Sequence, residues 1–394
     1  MLLIYFYQTP MKFYSDNHHS FVYNIDASHL IQNENVEVFL PENKDDIIAI
    51  VKKAIDENKR IICRAWWTNL VGNCLPSDGS YVIDFSNYNA VIDKDWSSIT
   101  LQPWITNDKL NELLKLDGLY FPVVLWSHAS AEIWGMIATN WAGMRAIKYG
   151  KMENRVEELE VLYVDEKNEI RIERLSGEEK NDFLWSEWKI WIVLEAKLRV
   201  ITLPWKTSME FRGFENVKEA LAYVTEVKSK NTSDLSALEL LSPQVAEYLN
   251  LEKKYYILVE YENEECWEIK DEEVIRELRG KRDACYAVTI NAWYDQIEDP
   301  EINIENAEEF FLFFEENNIP IFWHIWIWVL HPHFKSSQKD LENKMYELVQ
   351  RLWWKVSWEH WIGKKKWNYL SEQDKKHFME IKLKRDPTNR FWYE

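Results

Sequence analysis

Glycine is scarce in this chain. Its 394 residues include 10 glycines, where average usage of about 7% gives roughly 28. Tight turns and close approach of backbone to a ligand both depend on glycine, so the shortage bears on loops first. Cysteine is sparse too: Cys63, Cys74, Cys266 and Cys285 contain no CxxC pair. That excludes an iron–sulfur or zinc site built from them and, in a chain of this size, a disulfide framework. Long apolar runs are missing. The longest, residues 321–330, contains a histidine and falls far short of the ~20 residues that span a bilayer. The opening MLLIYFY is too short for the apolar part of a signal peptide, and no small-residue cleavage site follows. Basic residues are outnumbered, 47 Lys and Arg against 66 Asp and Glu, for a net charge of -19. A chain of that sign has no basic face for nucleic acid or anionic membrane. The expectation is a cytoplasmic protein, and the length calls for two domains.

What is abundant is tryptophan, with 22 residues, and it stands where small residues belong. The clearest case is 127–150, SHASAEIWGMIATNWAGMRAIKYG, which has neither helical nor alternating period. Small residues this dense indicate backbone packed against a phosphate-bearing cofactor, yet Trp134 and Trp141 carry the largest side chain available. The surrounding elements suit the same purpose. A strand is expected over 36–40. A helix follows over 43–58, with Ile47, Ile50, Val51, Ala54 and Ile55 at helical spacing and Asp45 and Asp46 in its first turn. A second strand over 60–63 leads into a loop at 64–72, an order that delivers backbone N–H groups to a phosphate. Strands are expected at 81–85 and 99–102, and a helix capped by Thr106 at 107–116. Further strands fall at 160–164 and 192–200, separated by a polar connection at 165–181. Beyond residue 211 a helix at 217–227, a strand at 255–261 and later alternation fit an α+β second domain with an antiparallel sheet. Helices at 339–352 and 372–383 close the chain.

The stretch 127–150 closely resembles the flavin-binding segment of the FAD-linked oxidases of the D-lactate dehydrogenase and glycolate oxidase group, which reads roughly PGSHASATIGGMIATNAAGMRAVKYG. The match becomes nearly continuous when Trp126, Trp134 and Trp141 are read as glycine. Residues 64–72, RAWWTNLVG, are similar to the family's RGGGTNLVG, 102–106 to QPGVT and 184–192 to GSEGTLGI. Residues 323–332 are similar to GHxGDGNLHP, and 353–363 to GGxxSGEHGIG. Residues 386–389, DPTN, resemble the start of the family's closing DPxxxxNPG. Most of the 22 tryptophans stand at family glycines. Each Trp forced into a glycine site costs typically 1–3 kcal/mol of overpacking, and so many together exceed a total stability of roughly 5–15 kcal/mol. A gene from a lineage that reads UGA as glycine, translated with UGA as tryptophan, accounts for the pattern. The rival reading is a decayed, non-catalytic relative unable to hold FAD.

The resemblance implies a PCMH-type FAD-binding domain over 1–204, a substrate-binding cap domain over 205–335, and a C-terminal segment, 336–394, that returns to the FAD domain. FAD would be held without a covalent bond, since Thr68 and Asn69 follow the first loop where covalently flavinylated relatives carry histidine. The implied contacts are Arg64, Ala65, Trp66, Trp67, Thr68 and Asn69 in that loop, and Pro103 and Trp104 in the second. The central stretch would add Trp126, Ser127, Ser130, Ile133, Trp134, Gly135, Asn140, Gly143 and Tyr149, and the third motif Glu187, Trp188 and Ile192. His128 reads as structural. Glu132 departs from the usual family text.

The chemistry is expected at His324, His331, Glu359 and His360. Two imidazoles and a carboxylate suit a divalent ion such as Zn²⁺ or Mn²⁺, and the resemblance implies His324, His331 and Glu359 as ligands with His360 as base. The family's Asp and Asn in GDGN are replaced by Ile327 and Val329, which alters support for the histidines. Arg282 and Lys366 are the candidates for a substrate carboxylate. The implied activity is oxidation of a D-2-hydroxy acid to the 2-oxo acid. The electron acceptor would be a separate electron-transfer flavoprotein or iron–sulfur subunit, because no cluster-binding cysteines are present. A sibling with the same flavin domain, a flavin-dependent synthase of ether lipids, is the neighbouring alternative.

Overall fold

The computed structural model describes residues 12–14, 21–32, 34–64, 68–77, 79–184, 186–187, 189–230, 233–262, 269–302, 304–325, 329–352, 355–357, 360 and 362–391. The strands Glu37–Leu40, Tyr81–Asp84 and Ile61–Arg64 form a parallel group, joined antiparallel at its edge by Lys12–Tyr14. Parallel strands need a crossover, and the helix Lys44–Asp56 supplies it. Its Ile47, Ile50, Val51 and Ala54 are buried, and the Asn43 side chain accepts from the Asp46 N–H at its start. A five-stranded antiparallel sheet follows, in the order Val91–Lys94, Ser98–Leu101, Ile192–Arg199, Val156–Val164, Ile170–Ser176. The last of these lies inside the stretch expected to be a polar connection. It is a largely exposed edge strand, so its sequence lacks the apolar face that marks an inner strand; pairing with Val156–Val164 makes it one. Both sheets share one core, in which Phe39, Ile83, Leu101, Phe121, Leu159 and Leu194 are buried.

The second half builds a six-stranded antiparallel sheet, ordered Thr207–Phe214, Tyr255–Glu262, Leu235–Leu241, Ile321–His324, Val329–Phe334, Gln296–Ile297. The helices Val217–Ser229 and Ile304–Glu316 pack against it through Val224, Val227, Phe310 and Phe314. The fold class is α+β. The C-terminal segment divides between the two cores. Helix Lys339–Arg351 was expected to return to the first domain, but buries Met345, Tyr346 and Val349 in the second core. Helical period marks an apolar face without saying which core receives it. The return comes later, after helix Glu372–Arg385. There Lys382 pairs with Asp386 and donates to the Lys189 carbonyl at 2.8 Å, the Ile61 N–H donates to the Arg390 carbonyl at 2.8 Å, and Phe391 is buried in the first core.

The two halves are locked by charge as well as apolar contact. Arg145 pairs with Glu260 at 2.8 Å and Glu262 at 3.3 Å, and its Nη1 donates to the Tyr120 hydroxyl at 2.7 Å. Tyr149 also donates to Glu262. Among the described residues no helix is long and apolar enough to cross a membrane.

Candidate active site

A cavity of about 390 Å³ opens between the two halves. Thr68, Asn69 and Cys74 line one side, and Ser127, Ser130, Gly135 and Thr139 another. Asp283, Tyr286 and His360 come from the second half. The loop with Asn69 is organised by that side chain, which accepts from the Val71 N–H at 3.1 Å and the Asn73 N–H at 2.9 Å. Gly143 shapes the opposite wall, because a Cβ there would lie 2.1 Å from the Val124 carbonyl oxygen. Only glycine lets these two backbone segments run so close, and both Trp126 and Trp141 come near His360.

The indoles occupy the depth of the site. Trp134, 1% exposed, stacks on Trp104 with ring centres 4.2 Å apart, and Trp104 stacks on Phe85 at 3.7 Å. Trp126 reaches the second half, where its Nε1 donates to His324 Nε2 at 3.4 Å and its ring lies 4.8 Å from that of His331 and 6.5 Å from that of His360. Trp141 lies 6.1 Å from the His360 ring. The hydroxyl and amide groups on the walls suit a phosphate-bearing ligand, but the volume left beside these indoles is near the floor of the ~300–1,000 Å³ typical of ligand pockets. With tryptophan at 126 and 134, the residues do not fit FAD.

Three buried histidines converge on Trp126. His324 holds its Nδ1 2.7 Å from Glu239 Oε1, and Arg282 donates to the same carboxylate at 3.4 Å. The His331 ring lies 5.1 Å from that of His324 and 5.3 Å from that of His360. Burial, and then the neighbouring imidazoles, push His331 well below the usual histidine range. Burial likewise brings His360 down to about 4, against the pull of Asp299. Asp299 accepts from the His360 N–H at 2.7 Å and the Ser357 hydroxyl at 2.8 Å, and it is ion-paired to Lys366. Glu239 and Asp299 escaped the sequence reading. The signals for them are a carboxylate inside the mostly apolar strand Leu235–Leu241 and the adjoining acids Glu298 and Asp299 before Pro300.

Of the expected cofactor contacts, Thr68, Asn69, Trp126, Ser127, Ser130, Trp134 and Gly135 line the cavity. Others lie elsewhere for identifiable reasons. The Arg64 guanidinium is spent on the carbonyls of Val22, Tyr23 and Ile25, pinning the N-terminal arm. Asn140, with φ of 45°, bonds to Glu153, and Tyr149 faces Glu262. Ile133 and Ile192 are core residues, and the Pro103 carbonyl accepts the Trp134 N–H at 2.5 Å. Glu187 is a buried clamp, taking Asn73 Nδ2 at 3.0 Å, the Ile362 N–H at 2.7 Å and Lys189 Nζ at 2.6 Å. Lys366 is fully buried on Glu298 and Asp299, so it supports His360 from behind and is not on the cavity wall. Ala65, Trp66, Trp67, Trp188 and Glu359 lie outside the described residues. Among the described residues no three His, Cys, Asp or Glu side chains form a metal-holding group. His128 pairs with Asp108 at 2.6 Å.

Glu132 lines the cavity with its Oε2 buried and without a hydrogen-bond partner. Burial, then the charge of Asp84, push its carboxyl up to about 9. The unfolded chain releases this proton near 4.5 and the folded chain keeps it to about 9, so stability falls as pH rises through that window. Glu132→Gln removes the loss. Urea unfolding should show the variant more stable by a few kcal/mol at pH 8 and level with the parent near pH 4; equal stability at pH 8 would refute the neutral carboxyl.

Comparison with known proteins places the first half. Residues 37–168 match the family described as FAD binding domain. The Bacillus subtilis glycolate oxidase subunit GlcD is 27% identical over 229 residues, 55% of this chain and 48% of that protein. The Archaeoglobus fulgidus D-lactate dehydrogenase is 30% identical over 227 residues, 54% of this chain and 49% of that one. The Stutzerimonas stutzeri D-2-hydroxyglutarate dehydrogenase is 24% identical over 212 residues, 52% and 45% respectively. The chain thus spans about half the length of the curated relatives it matches. A solved alkyldihydroxyacetonephosphate synthase superposes on 98% of this chain and 82% of its own with a TM-score of 0.70 at 14% identity. That likeness is one of fold.

Proposed function

We propose, from the match of residues 37–168 to an FAD binding domain and the similarity to hydroxy-acid oxidases, that the chain oxidises a D-2-hydroxy acid, of lactate or glycolate type, to the 2-oxo acid. Bound FAD would supply hydride chemistry, but the indoles at 126 and 134 take its room. The observation that carries the reading is the place of His360. It stands on the cavity wall with Ser127 and Ser130, and Asp299 holds its backbone. In this reading His360 accepts the proton of the substrate 2-hydroxyl. Arg282, whose buried Nη2 has no hydrogen-bond partner, would offer its charge to the substrate carboxylate from beside the cavity-lining Asp283, and His324 and His331 lie behind Trp126. A divalent ion on His324 and His331 would need Glu359 or substrate oxygens to complete it. Electrons would pass to a separate electron-transfer flavoprotein or iron–sulfur subunit.

The test is a chain made with glycine at 66, 67, 104, 126, 134, 141 and 188 and purified with FAD. It should be yellow, and D-lactate, glycolate or D-2-hydroxyglutarate should bleach it without oxygen. A folded but colourless protein refutes the flavin. Colour that none of these acids bleaches refutes the hydroxy-acid substrate and favours the ether-lipid reaction class.

A further inference from the structure

The end of helix Cys285–Asn291 carries a signal that has nothing to do with a cofactor. Trp293 follows the capping residue Ala292 with φ of 68°. Its N–H donates to the Ile290 carbonyl at 2.9 Å, and the Tyr294 N–H donates to the Thr289 carbonyl at 3.2 Å. This pair of bonds is the Schellman ending, whose left-handed residue is usually glycine. Most other non-glycine residues with positive φ are asparagine, which tolerates that region through its short polar side chain; tryptophan is a steric outlier there. Nothing compensates, since the indole is 81% exposed. The hairpin between Val91–Lys94 and Ser98–Leu101 carries a second exposed indole. Asp95 caps the turn by accepting from the Ser97 and Ser98 N–H groups, each at 2.7 Å, and the next residue, Trp96, is 84% exposed. Glycine is among the residues that dominate turns, and a solvent-exposed indole gains nothing there.

The interior shows the opposite symptom. Trp191 is 2% exposed, and its ring centre meets that of Phe183 well inside the 4.5–7 Å at which aromatic rings pack. The Phe85, Trp104 and Trp134 rings are also stacked closer than that range, at 3.7 Å and 4.2 Å. Indoles are therefore too large inside and unsupported outside. A helix end, a turn and a core share no ligand, so no one binding site explains all three. They share only the letter tryptophan, in a chain with 22 of them and 10 glycines.

We propose that the working polypeptide has glycine at Trp96, Trp104, Trp126, Trp134, Trp191 and Trp293, through a codon its own cell reads as glycine. For Trp126 and Trp134 the argument rests partly on the FAD reading; for Trp96, Trp191 and Trp293 it stands without it. With glycine at 126, the space now filled by that indole joins the cavity, already lined by His360, to His324 and His331.

The test is the mass of native peptides from the cells that carry the gene. Trypsin releases residues 95–109, with Trp96 and Trp104, and a glutamate-specific protease releases residues 278–298, with Trp293. Each site should be lighter by the difference between an indolylmethyl group and a hydrogen. Tryptophan, or any residue other than glycine, at 104 or 293 overturns the proposal. If the peptides weigh as glycine and the glycine-bearing protein still takes up no flavin, the decoding stands and the FAD reading fails.

Discussion

Replacing His360 by glutamine in the glycine-bearing, flavin-loaded protein will lower turnover of the accepted hydroxy acid by about 10²–10⁴-fold, the usual worth of a positioned general base. Flavin absorbance should not change, because His360 meets the cavity from the second half while the loops that would hold FAD belong to the first. Stopped-flow bleaching of the flavin measures the chemical step directly. A loss under tenfold removes His360 from the proton transfer. Loss of colour together with activity assigns it to binding instead. Asp299→Asn gives an intermediate case: it keeps the shape around His360 but leaves the buried Lys366 ammonium with Glu298 as its remaining ion-pair partner among the described residues.

Arg145→Ala should cost about 3–5 kcal/mol, the usual penalty for breaking a buried ion pair, out of a total near 5–15 kcal/mol. Its partners Glu260 and Glu262 have side chains that are 0% and 1% exposed, so both carboxylates would lose a counter-charge that water cannot replace. Lysine is a poor substitute, since Arg145 spreads its donors over two carboxylates and the Tyr120 hydroxyl. Denaturant unfolding checks the size of the loss. The pH dependence checks its cause. Burial pushes the Glu260 carboxyl up, but Arg145 and then Arg279 outweigh it and hold it at about 2. The stability it contributes is present above about 4.5 and is lost as pH falls toward 2. In Arg145→Ala that acid dependence should shrink. A variant as stable as the parent would mean that Arg279 and Lys148 already neutralise the cluster.

The elements of the first half are readable from sequence because local causes fix them. Asn43 caps a helix whose apolar spacing faces one core, and Thr106 caps the next. Strand Ile170–Ser176 is not readable, since an exposed edge strand has no burial pattern of its own. The cavity-lining residues Thr68, Asn69, Ser127, Ser130 and Gly135 were legible through resemblance to known text. Arg64, Asn140 and Tyr149 stand in the same text but turn to other partners, because direction depends on neighbours far along the chain. Glu239 and Asp299 had no motif to announce them, as each acts by holding a histidine that is distant in sequence.

By itself the sequence determined that the chain is acidic, that its first half alternates strand and helix into small-residue loops, and that tryptophan is abundant where glycine is scarce. Composition and local spacing carry that much, because each depends on a residue and its near neighbours. Only the tertiary structure decided that Trp126 lies among three histidines, that Lys366 supports His360 from behind, and that Trp293 sits in a left-handed helix end. These are facts of backbone direction and long-range packing, where the energy depends on what the rest of the chain brings alongside.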